Sequence, residues 1–149
     1  MNGIFIVDKP GGMTSHDVVH EVRSRFSIAK AGHLGTLDPM ATGVLPICVG
    51  KATRLGQYIT NAPKEYTGTM RFGFSTTTYD REGERTGEER PLESSQETTR
   101  AAMRSLTGAI DQVPPPFSAK KIGGVPSYEF ARKGRSVELA SVRIVVDEF

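Results

Sequence analysis

No stretch of this 149-residue chain approaches the roughly 18 consecutive apolar side chains of a membrane-spanning helix. Its amino terminus reads as a strand rather than a signal peptide. Cysteine occurs once, at Cys48, which excludes an intrachain disulfide and a multi-cysteine zinc site and points to a reducing cytoplasm. Cys48 itself is expected in the core as a small hydrophobe. Neither charge sign prevails: the net charge is +2. Residues 1–74 and 114–149 carry a basic excess that would suit phosphates, and 75–113 an acidic one, but a balance this even also fits ordinary solvated faces. Internal repeats and low-complexity linkers are missing.

Two motifs are nearly present, and each fails on a residue. "GVLPICVGKAT" lacks the first glycine of a phosphate-binding loop, because Leu45 stands there, and Lys51 is followed by Ala52 instead of Ser or Thr. No nucleotide cofactor is expected. "HDVVH", His16 to His20, differs from the zinc-protease pattern by one methylene, and both imidazoles would share a helix face. Asp17 is already claimed by a helix cap, and His33 is the only other histidine, so no metal is expected.

What is present reads as one domain of the α+β class, large enough to bury about 68–70% of its unfolded surface. "GIFIVDKP" is a strand ended by Pro10. Thr14 and Asp17 form a capping box, and Val18, Val19, Val22 and Phe26 recur at helical spacing over residues 15–26. "VLPICVG" is a buried strand, and residues 51–60 a short helix. "EYTGTMRFGFS" alternates as a half-buried strand. "TTTYDREGERTGEERP" is an exposed loop or hairpin tip. Ser94 and Glu97 predict a second capping box, opening a helix to about Leu106 that Gly108 ends. A short helix around "SYEFARKG", stopped by Gly134, and a last strand "SVRIVVDEF" complete the chain. Adjacent strands suggest antiparallel pairing.

The chemistry concentrates in "GHLGTLDPMATGVL", residues 32–45. Asp-Pro steps commonly start turns, with the carboxylate capping nearby amides. Here Gly32, Gly35 and Gly43 permit close approach or positive φ around Asp38. Thr36 and Thr42 supply hydroxyls, and Leu34, Leu37, Met40 and Val44 can anchor the loop. A carboxylate on a rigidly anchored loop can also serve as a nucleophile. Composition and spacing leave both readings open.

In nearly every position, "GHLGTLDPMATGVLP" resembles the catalytic-aspartate motif of the TruB-type tRNA pseudouridine-55 synthases. The resemblance extends to "VDKPGGMTS", "KEYTGTMRFGFSTTTYDREG", "PPPFSAKKIGGVPSYEFARKG" and the closing strand, in order, over essentially the whole chain. It implies an α+β, pseudouridine synthase-like fold with a largely antiparallel sheet and flanking helices. The implied activity is isomerisation of the uridine at position 55 in the T arm of tRNA, by aspartate-dependent catalysis on a flipped-out base and without a cofactor.

Asp38 matches the family's catalytic aspartate. Tyr66 matches the catalytic pocket tyrosine that stacks on the flipped ring and sits near its C5, and His33 the histidine that contacts the RNA. Lys9 and Thr14–Ser15 match a block packed behind the catalytic loop. Lys120, Lys121, Arg132, Lys133 and Arg135 match an inserted segment that grips the tRNA arm. The resemblance further implies a cytoplasmic protein with a monomeric full-length parent.

Family members also carry a later "GTYIR"-like strand, whose arginine pairs with the aspartate, and usually a small RNA-binding PUA domain. Neither is found in residues 1–149. The resemblance therefore implies the N-terminal portion of a catalytic domain, weak or inactive in isolation. A non-catalytic RNA-binding or tRNA-folding module is the alternative reading.

Overall fold

The computed structural model describes residues 1–60, 62–91, 93–115, 118, 120–127, 130, 133, 135 and 139–149. The chain divides into two units, Met1–Thr67 and Gly68–Phe149.

The first unit is built on strand β1 (Gly3–Lys9), helix α1 (Ser15–Arg25), strand β2 (Ala31–His33) and strand β3 (Gly43–Val49). The order in the sheet is β1-β3-β2, with both pairings antiparallel. The register sets Phe5 opposite Ile47 and His33 opposite the same Ile47 from the other side. Strand β3 is central and nearly continuous in apolar residues, and Leu45, Ile47, Cys48 and Val49 are all buried.

One face of β3 meets Val18, Val19 and Val22 of α1 together with Ile28. Phe5, Val7, Met13, Ala31 and Leu37 close the rim. Each fully buried aliphatic side chain of this kind contributes about 1.5–3 kcal/mol. Phe26 lies at the helix end, outside this core, and packs its ring 5.0 Å from that of Phe5. Cys48 is buried as expected, and burial pushes its thiol pKa up. A 3₁₀ turn (Gly50–Leu55) runs into the short helix α2 (Gly56–Ile59), close to the helix expected there.

The second unit consists of short antiparallel ladders. Strands β4 (Ser75–Thr76) and β5 (Arg85–Thr86) form a hairpin, one of the two readings open for that stretch. Helix α3 (Gln96–Arg104) precedes strand β6 (Gly108–Gln112), which pairs with strand β9 (Val142–Val146). Strands β7 (Lys121–Ile122) and β8 (Val125–Pro126) make a third ladder. Among the residues of this unit whose side chains are described, no hydrophobic one is fully buried. Two-stranded ladders have no second neighbour to pack against and are marginal by themselves.

Two expectations are corrected. The alternating segment 65–75 does not form a half-buried strand. Residues 63–72 have no regular structure, and Tyr66, Met70 and Phe72 are exposed. Alternation marks a face that a sheet could bury, but a strand also needs a partner for its backbone groups. Among the described residues only the end of the segment has one: Ser75 pairs with Thr86, and the Gly73 carbonyl accepts from the Arg90 amide at 2.7 Å.

The cap of α3 is Ser95, not Ser94: the Ser95 hydroxyl accepts from the Thr98 amide at 3.1 Å. Adjacent serines offer the same cap chemistry, and the register shift leaves Glu97 outside a capping box. The helix ends at Arg104, and Gly108 opens β6 rather than terminating the helix. The helix expected around residues 127–134 falls largely outside the described residues.

Candidate active site

Helix α1 starts where its cap dictates. The Thr14 hydroxyl accepts from the Asp17 amide at 3.1 Å, and the Asp17 carboxylate accepts from the Thr14 amide at 2.8 Å and its hydroxyl at 2.7 Å. The hydroxyl bond, then the amide bond, hold the Asp17 carboxyl below its ordinary pKa. This cap places Ser15, only 3% exposed, at the first helical position. Its Oγ accepts from the Leu37 amide at 2.9 Å and donates to the Leu37 carbonyl at 3.1 Å.

Lys9, at the end of β1, is 0% exposed. Its ammonium donates to the carbonyls of Met13 at 2.7 Å, Pro10 at 2.9 Å and Pro39 at 3.2 Å. A buried cation is costly unless each of its protons finds an acceptor. Three carbonyls meet that need here and tie two segments of chain together. The Gly12 amide also donates to the Pro39 carbonyl, at 2.8 Å.

These bonds converge on the backbone either side of Asp38. Leu37 is held by Ser15, and Pro39 by Lys9 and Gly12. The Asp38 carbonyl accepts from the Ala41 amide at 3.0 Å, closing the turn. Gly43, at φ 115°, returns the chain into β3. Asp38 is exposed, and its carboxylate makes no hydrogen bond or ion pair among the described residues. The turn thus uses the backbone of Asp38 and leaves its carboxylate to face solvent. The ordinary Asp-Pro turn, in which the carboxylate caps local amides, is not what forms.

His33 ends β2 on the approach to this loop and is half-buried. Its Nδ1 lies 2.6 Å from the Gly35 carbonyl. A carbonyl can only accept, so Nδ1 carries the proton and Nε2 is the ring nitrogen left for another partner. His33 and Asp38 are therefore brought into one loop. Tyr66 is not tied to it: the side chain is 71% exposed, with no hydrogen bond or ring contact among the described residues.

Lys120, Lys121 and Lys133 belong to the second unit. Lys120 and Lys133 are exposed, and Lys121 opens β7. Arg132 lies outside the described residues. His16 and His20 stack edge to face with ring centroids 4.6 Å apart on exposed positions of α1. Asp17 between them is committed to the cap. Among the described residues no three His, Cys, Asp or Glu side chains form a group able to hold a metal ion. No helix of the described residues is long and apolar enough to cross a membrane.

The expectation of a block packed behind the loop is met at Lys9 and Ser15, through bonds that sequence reasoning did not specify, while the Thr14 hydroxyl serves the helix cap. The only available signal was a lysine and a serine close to Pro and Gly in "DKPGGMTS".

Comparison with known proteins bears on the family. The family model described as TruB family pseudouridylate synthase (N terminal domain) matches residues 23–149. The tRNA pseudouridine synthase B of Solibacter usitatus (strain Ellin6076) is 49% identical over 148 residues, covering 99% of this chain and 50% of the relative. That of Thermobifida fusca (strain YX) is 52% identical over 149 residues, with 99% and 50% covered. Among solved structures, a chain of a Cbf5-Nop10-Gar1 complex matches at 31% identity and a TM-score of 0.53. The match covers 80% of this chain and 31% of that one. The chain spans about half the length of the curated relatives it matches.

Proposed function

The chain belongs to the TruB family of pseudouridylate synthases, and from that premise we propose that it is the N-terminal portion of a tRNA pseudouridine-55 synthase catalytic domain with Asp38 as the catalytic carboxylate. The observation that carries this reading is the Asp38 loop: its backbone is fastened on both sides while the carboxylate stays unengaged. A loop prepared in this way has its backbone position set before the substrate arrives and keeps the carboxylate available to it.

The reaction is an isomerisation. The N1–C1′ bond breaks, C1′ bonds to C5, the C5 proton leaves and N1 ends protonated. Oxidation state is unchanged, so the step balances without a redox cofactor. Asp38 can enter by adding to C6, by attacking C1′ or by taking a sugar proton, and each route requires the carboxylate.

The substrate in this reading is the T arm of tRNA in the cytoplasm. The target uridine must leave its stack, at a cost of a few kcal/mol. Tyr66, exposed and without a protein partner among the described residues, offers a ring for the flipped base. Such stacking is typically worth ~1–3 kcal/mol. The Nε2 of His33 faces the same RNA, while Lys120, Lys121, Arg132 and Lys133 meet phosphates and set register without reading sequence.

The test is to map pseudouridine in bulk tRNA incubated with this chain and with its full-length parent. One modified T-arm uridine is expected with the parent and little or none with the chain alone. tRNA bound by the parent without pseudouridine would instead support a non-catalytic RNA-binding module.

A further inference from the structure

Ser15 has a hydroxyl that its own helix does not use. Thr14 already caps α1, so nothing in that helix requires a hydroxyl at the next position. The Ser15 Oγ instead spends one donor and one acceptor on a single residue 22 positions away, bonding the amide and the carbonyl of Leu37. Those two groups belong to the two peptide planes that meet at the Leu37 Cα. Holding both fixes φ and ψ of Leu37, and with them the direction in which the peptide enters Asp38. The exit from Asp38 is held separately, at the Pro39 carbonyl by Lys9 and Gly12. At 3% exposure the Ser15 site is closed to solvent, so water does not readily replace a lost hydroxyl.

We infer that Ser15 is a positioning residue for the Asp38 carboxylate, acting through the Leu37 backbone and touching no substrate. This inference rests on Asp38 being the catalytic group. A displacement of about 1 Å can cost on the order of a hundredfold in rate, without weakening binding contacts made elsewhere.

Two measurements test it. In the full-length parent, Ser15→Ala should slow single-turnover pseudouridine formation by about tenfold to a hundredfold, with RNA affinity unchanged to within about twofold. Ser15→Thr keeps the oxygen and should stay within about threefold of the unsubstituted rate. A Ser15→Ala rate within twofold of the parent, or rate and affinity falling together, overturns the inference.

In the 149-residue chain, hydrogen exchange of the Leu37 amide should quicken by about tenfold or more in Ser15→Ala, with β3 amides such as Ile47 unchanged. Unchanged exchange at Leu37 also overturns it. If the unsubstituted parent forms no pseudouridine, or Asp38→Asn leaves the rate intact, the functional reading fails by itself and the exchange measurement still decides whether Ser15 sets the loop. Should Ser15→Ala not fold, Ser15→Cys, of similar size and with a weak hydrogen-bonding thiol, carries the same expectations.

Discussion

Asp38 and Asp80 both sit in turns near glycine, and the protein treats them in opposite ways. The Asp80 carboxylate is consumed by its own turn. It accepts from the Thr78 hydroxyl at 2.6 Å and the Glu82 amide at 2.9 Å, and the Asp80 carbonyl accepts from the Thr76 hydroxyl at 2.7 Å. The Thr78 hydroxyl first, then the Glu82 and Gly83 amides and the Arg81 charge, hold its carboxyl below the ordinary range. The Asp38 turn is fastened from outside, by Ser15, Lys9 and Gly12, which act on the neighbouring backbone. A turn that needs its aspartate spends the carboxylate. A turn stabilised by other residues can leave it for chemistry.

Substitutions can break this contrast, and the largest effect belongs to Asp38. Asp38→Asn should lower pseudouridine formation by the full-length parent by about a thousandfold or more, since it removes the proposed reacting group. Its thermal stability should change by no more than about 0.5 kcal/mol, as for other exposed residues outside a bonded network.

Lys9→Met tests the external fastening. It removes the donor from three carbonyls at once and should cost about 2–4 kcal/mol in urea unfolding, because the vacated acceptors lie in a closed site. A loss below about 0.5 kcal/mol would show that the clamp does not hold the loop.

Gly83→Ala attacks the other turn. A Cβ there would meet the Thr78 hydroxyl, and the Thr78 amide at 2.7 Å. The expected cost is about 1–3 kcal/mol by thermal unfolding, with turnover kept to within a few-fold.

The smallest effect is the pH dependence of Asp80. A carboxyl whose folded pKa lies below its unfolded value adds stability that is fully present above the unfolded value, near 3.9. That contribution is lost as pH falls through the folded value. Asp80→Asn should therefore flatten part of the acid limb of the stability curve below about pH 4, and an unaltered limb would remove the carboxylate from the turn's energetics.

The legible parts of the fold were those encoded locally. The Thr14–Asp17 box lies within four residues, and the apolar run at Leu45–Val49 names a central strand by composition. Asp38 was visible as a lone carboxylate in an unusual neighbourhood, and the family resemblance singled it out. What escaped was set by distant partners. β6 is a short, mildly apolar segment that becomes a strand through β9, some thirty residues on. Segment 65–75 has the alternation of a strand, yet among the described residues only its end, at Ser75, enters a ladder. The bonds from Lys9 to Pro39 and from Ser15 to Leu37 span 30 and 22 residues. No local pattern in "DKPGGMTS" says which carbonyl a lysine will find.

The most direct test places Asp38→Asn and Asp80→Asn side by side in the full-length parent, with single-turnover pseudouridine formation and thermal unfolding measured on the same samples. The predicted pattern is crossed: Asp38→Asn loses turnover and keeps stability, while Asp80→Asn loses stability and keeps turnover. Turnover surviving in Asp38→Asn would contradict the account.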